Sequence, residues 1–234
     1  MIEAGDAVFA VWVYGSQARG DWDELSDLDI LVVGQEPESI PYETWNRDGS
    51  PPSVSHYNWG EIEIMAAYGS LFLHHVNLEG RPLSECGGGH SRLERLLRTL
   101  PPYQLYRRDI RAFQKTVLDV ATSSTAGSTP EFELSVLGTV VRHAAVLACY
   151  LLGSPCFGRT AAVERAAIGL GLNREYLQEF AQLYQFRLSE DGRCQAPFKP
   201  SWKDVEEWSK SAFELVEYLG RAAHAYERGL SETH

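Results

Sequence analysis

The chain has 234 residues, 44% hydrophobic and 23% charged, a balance that excludes wholesale disorder or a coiled coil and leaves room for one large domain or two small ones. Lys plus Arg number 21 against 32 Asp plus Glu, and the resulting charge of -11 opposes a broad phosphate-binding surface and suits a cationic partner better than a nucleic acid. No apolar run approaches the roughly 20 residues of a membrane helix, and MIEAGDAVFA lacks the basic start of a signal peptide, so a cytoplasmic location with no membrane partner is expected.

Residues 7–14 (AVFAVWVY) form a β-branched and aromatic run that ends at Gly15 and predicts a buried strand; residues 28–33 (LDILVV) predict a second. The small and polar residues between them suit a turn, a short helical segment and a loop. Residues 35–52 carry several prolines and read as an irregular excursion, and residues 53–57 predict a third strand. Over 60–77, Ile62, Met65, Ala66, Phe72, Leu73 and Val76 recur at helical spacing, which predicts one helix stopped by Glu79-Gly80.

Gly87, Gly88 and Gly89 predict a hinge, and Ser91 with Glu94 offers a capping box for the helix beyond it. The pattern is then helical almost throughout: Leu93, Leu96 and Leu97, then Tyr106, Ile110, Phe113, Val117 and Val120 on one face. Thr129-Pro130 supplies an N-cap and first residue for a long helix ending near Gly153. Further helices are predicted over 159–169, 174–187 and 202–226, giving a bundle. Cys86, Cys149, Cys156 and Cys194 are scattered and read as free thiols.

One unit carries chemistry: Gly15-Ser16, then ten residues, then Asp27-Leu28-Asp29, with a predicted strand on each side. Residues two apart in a strand share a face, so Asp27 and Asp29 can present both carboxylates to one site. Magnesium is bound through one or two carboxylates and completes its shell with water and substrate phosphates, so the pair suits a metal-bound nucleoside triphosphate. Gly15, without a Cβ, permits close approach to phosphate oxygens, and Ser16 adds a hydroxyl. Arg19 is a candidate cationic contact.

At GSQARGDWDELSDLD, and again at GSLFLHHVNLEGRPL, the chain resembles the DNA polymerase β-like nucleotidyltransferase superfamily, especially its minimal and antibiotic-modifying members. The resemblance covers roughly residues 7–85. It implies that Gly15 and Ser16 hold triphosphate, with Ser26 in the same pattern, and that Asp27 and Asp29 are catalytic and bind Mg2+. The family often adds a third carboxylate on a following strand. SVSHY has none, and two readings of the next segment stay open: a helix start, or a strand GEIEIM that puts Glu61 and Glu63 on one face. Glu63 is the candidate third acid.

The expected fold is α+β: a small mixed-sheet nucleotidyltransferase lobe over 1–88, then an α-helical bundle over 89–234. The bundle resembles the helical substrate-binding domains of such enzymes and the HEPN bundles paired with minimal nucleotidyltransferases. Arg142-His143 lacks the histidine spacing of HEPN ribonucleases, which argues against that activity; an ion pair of Arg142 with Glu164 or Glu133 is expected instead. The implied reaction is AMP transfer from ATP to an acceptor hydroxyl. A small molecule such as an antibiotic is favoured; a protein or RNA acceptor, as in toxin-antitoxin systems, and a degenerate nucleotide-binding regulatory module are the alternatives. The sequence leaves homo-oligomerisation open.

Overall fold

Side-chain alternation decides how the first sheet buries itself. In β1 (Phe9–Tyr14), Ala10, Trp12 and Tyr14 share one face with Leu31 and Val33 of β2 (Asp29–Gly34), while Val11, Ile30 and Val32 form a second apolar layer on the other face. The computed structural model describes residues 8–34, 52–123, 127–172 and 175–232. The expected excursion over 35–52 lies outside these except for Pro52.

Strand β2 pairs antiparallel with β1 and parallel with β3 (Ser53–Tyr57), and β4 (Arg81–Cys86) pairs antiparallel with β1, giving the order β3-β2-β1-β4. The short α1 (Gly15–Arg19) follows β1 directly. Leu73 and Val76 of α3 (Leu71–Glu79), Ile62 and Ala66 of α2 (Trp59–Ala67), and Leu93 and Leu97 of α4 (Gly89–Arg98) join the core on the Trp12 face. This is the mixed-sheet α+β lobe that the sequence predicts.

Four details differ from expectation. The single helix over 60–77 is two helices, because Gly69 takes φ +65° and the amides of Gly69 and Ser70 turn back to the carbonyls of Ala66 and Met65 (both 3.0 Å). Strand β4 was not expected; its polar, proline-containing RPLSEC is mostly exposed at the sheet edge, where periodicity is weak and proline is tolerated. Helix α4 starts at Gly89 from Gly88 in a left-handed conformation, without the Ser91 capping box. Since α4 buries Leu93 and Leu97 in the sheet core, the first compact unit runs through Leu105, past the expected division at 88/89.

The second unit, Tyr106–His234, is a helical bundle: α5 (Tyr106–Ala121), α6 (Pro130–Leu151), α7 (Arg159–Leu170), α8 (Glu175–Glu190) and α9 (Trp202–Glu232). Thr129 caps α6 through the Phe132 amide (3.3 Å), with Pro130 as first residue, as predicted. Helix α6 packs against the other four helices of its unit. It is also long and apolar enough to cross a membrane, a property hidden from a search for unbroken apolar runs; 72% of its apolar window is buried inside the protein. Arg142 donates to the Phe157 carbonyl (3.4 Å) in place of the expected carboxylate, and Arg187 pairs with Asp191 at the end of α8 (2.9 Å). Arg107 clips α5 to α9 by a two-pronged contact with Glu227 (2.6 Å each).

Candidate active site

The candidate site lies where β1 ends and β2 begins. Antiparallel pairing sets Tyr14 opposite Asp29, so the residue after Tyr14 must turn beside the Asp29 side chain. Gly15 makes that turn at φ +73°, and a Cβ there would collide with Asp29 Oδ2. Glycine suits the left-handed backbone, which strains any side chain, and it leaves the Asp29 carboxylate where it stands. The turn is closed at its far end by Gly20 and Asp21, whose amides donate to the Ser16 carbonyl (2.8 and 3.2 Å).

Asp27 lies two residues before Asp29 in the approach to β2, and both side chains are half-buried. The loop ahead of them is shaped by Ser26, whose hydroxyl donates to Asp23 Oδ1 (2.7 Å) while accepting from the Asp23 amide (3.1 Å). Ser26 therefore builds the loop that delivers Asp27. Both aspartates act on Tyr14: burial first, opposed by its 3.0 Å hydrogen bond with Ser55 and reinforced by the Asp29, Tyr57 and Asp27 charges, pushes the phenol up to about 12.

Arg19, at the end of α1, is engaged by two acids: its guanidinium donates to Asp21 (3.1 Å) and to Glu79 Oε2 (2.5 Å). Burial works against its charge, and the bonds from Asp21 and Glu79 outweigh it, so its pKa is raised. Glu79 is in turn held by His75 Nε2 (2.7 Å), and the His75 ring meets Tyr14 edge-on at 5.3 Å. Glu79 and His75 join Tyr14 as neighbours of the site that the motif reading assigned to structure or passed over. The i, i+4 spacing of His75 and Glu79 on a helix was their available signal.

Glu63 is not brought to the aspartates. Glu61 forms a capping box with Asn58 (2.7 and 2.9 Å), which settles the segment as helix, and Glu63 pairs on its surface with Arg92 (2.7 Å). That pair sits beside Trp59, which donates to the Val8 carbonyl at the opposite end of β1 from Gly15. On β3, the positions paired with Asp29 and Leu31 are Ser53 and Ser55, so that strand presents hydroxyls where a third acid would stand.

Among the described residues no three His, Cys, Asp or Glu side chains gather as a metal cage. A two-carboxylate set still fits magnesium, which takes its remaining ligands from water and phosphate. The Asp29 carboxylate lies against Gly15, in the space that a side chain there would take.

Two half-buried aspartates at the start of an inner strand, beside a Gly-Ser turn, define a class of phosphate- and metal-handling site. Residues 3–71 match the family described as Nucleotidyltransferase domain, consistent with a member of the polymerase β-like superfamily. Nucleotidyl transfer is the general activity that this domain brings, with a nucleoside triphosphate as substrate. Comparison with curated proteins gives no match.

Proposed function

We propose that the protein is a magnesium-dependent adenylyltransferase that moves AMP from ATP to the hydroxyl of a small cationic acceptor, of the aminoglycoside type, in the cytoplasm. The observation that carries the reading is the packing of Asp29 against Gly15 inside a matched nucleotidyltransferase domain. The backbone at Gly15 and Ser16 takes phosphate oxygens, and Asp27 and Asp29 hold Mg2+. The metal supplies charge neutralisation on the triphosphate. The acceptor oxygen bonds to the α-phosphorus, the bridging α–β P–O bond breaks, pyrophosphate leaves with the electron pair, and the hydroxyl proton passes to water. The net charge of -11 supports a cationic acceptor.

The serines on β3 favour a second reading, a nucleotide-binding regulatory module without transfer. One experiment separates the two. Wild type and an Asp27→Ala, Asp29→Ala double variant are incubated with α-labelled ATP, magnesium and an aminoglycoside panel, tRNA or cell extract. The enzyme reading expects a labelled acceptor from wild type alone, lost on chelation. Equal labelling by the double variant sinks it; nucleotide binding without labelling or pyrophosphate release in any arm selects the second reading, and labelled RNA or protein moves the acceptor class.

A further inference from the structure

We infer that Glu79 is a positioning residue for the Gly15–Arg19 turn, clamping it from both ends through Arg19 and His75. This rests on the reading of Gly15 and Ser16 as the triphosphate-holding turn. The Glu79 side chain is 7% exposed although it is a carboxylate, and a buried carboxylate is costly unless its oxygens are engaged. Glu79 Oε2 accepts from both partners: Arg19, the last residue of α1, and His75 one helical turn earlier on α3. His75 meets Tyr14 edge-on, and Tyr14 immediately precedes Gly15. One oxygen thus ties the residue before the turn to the residue that ends it.

The turn needs such a tie. It is a five-residue helix entered from a left-handed glycine and closed by another, Gly20, so its own backbone bonds do not fix its direction. Gly15 lies under Asp29 where a side chain would meet the carboxylate, so the direction of the turn sets what stands beside Asp29. The same geometry commits Arg19 to carboxylates. Arg19 acts by holding α1 in place, and the phosphates are met by backbone and Ser16.

The test reads the turn directly. Amide hydrogen exchange is followed at Gly20 and Asp21, which donate to the Ser16 carbonyl, in wild type, Glu79→Gln, Glu79→Ala and Arg19→Met. Mg-ATP affinity is measured on the same proteins. Glu79→Ala is expected to speed exchange at both amides by about tenfold, with Glu79→Gln intermediate and β2 amides within about twofold of wild type. Mg-ATP binding weakens about tenfold, and combining Glu79→Ala with Arg19→Met costs less than the sum of the two single variants, since the Arg19–Glu79 contact is removed by either one. Unchanged exchange at Gly20 and Asp21, or tighter Mg-ATP binding through a released Arg19, overturns the inference. If Glu79→Ala does not fold, Arg19→Lys carries the same arms, with both changes expected in the same direction. If wild type itself binds no Mg-ATP, the nucleotide reading fails, and exchange at the two amides still decides the clamp.

Discussion

The two ends of the β1–β2 pair are built from the same strands and carry acids of opposite character. At the Gly15 end, Asp27 and Asp29 are half-buried, act on a buried phenol and press on a turn that tolerates no Cβ. At the Val8 end, Glu63 is half-exposed and satisfied by Arg92, which lies over the Trp59 ring at 4.2 Å. The difference is one of environment. A carboxylate confined beside bare backbone is suited to a metal and phosphate, whereas one paired in solvent is worth little beyond solubility.

The sharpest way to break the comparison is Gly15→Ala. The added Cβ meets Asp29 Oδ2 in a left-handed backbone, so labelling of an acceptor from α-labelled ATP should fall about a hundredfold or more, and urea unfolding should show a loss of about 1–3 kcal/mol. Retained activity would mean that the turn has room that the geometry denies. Asp29→Asn should come next, with labelling reduced about a hundredfold at little cost to stability, because the amide keeps the shape and removes a charge close to Asp27. The check is the same assay beside a thermal melt.

Tyr14 tests whether the two carboxylates bear on one spot. With a folded pKa about 12 against 10.0 for the free phenol, the folded state keeps a proton that the unfolded state gives up between these values. Stability is therefore fully present below pH 10 and falls as pH rises from 10 toward 12, by about 2–3 kcal/mol in total. Tyr14→Phe should flatten that slope in urea midpoints taken across the window. Asp29→Asn should shift it down, since one raising charge is gone.

Part of the fold was legible beforehand. The strand over 53–57 and the Thr129-Pro130 helix start stand as read, the second because capping chemistry is a local signal. The turn at Gly15 and the strand that begins at Asp29 were legible from spacing and strand context. What escaped depends on long-range packing. The edge strand β4 is polar and takes its form from pairing with β1, and α4 belongs to the first unit because Leu93 and Leu97 find the sheet, which a glycine run suggested as a boundary could not reveal. The pairing of Arg19 with Glu79 spans 60 residues, beyond the reach of local spacing.

The smallest expected effect lies at the other end of the strands. Glu63→Gln removes one member of a pair whose side chains are 51% and 40% exposed. Such pairs contribute about 0–1 kcal/mol, so the melting temperature should move by a few degrees at most and acceptor labelling should stay within about twofold of wild type. Glu63 stands beside Trp59, whose indole binds Val8, and β1 runs from there to Tyr14, so the length of a strand separates it from Gly15. A large loss of labelling in Glu63→Gln with an unchanged melt would make Glu63 the third acid and require α2 to move when nucleotide binds. Unchanged labelling leaves proton removal to water or to the acceptor itself, as the serines on β3 imply.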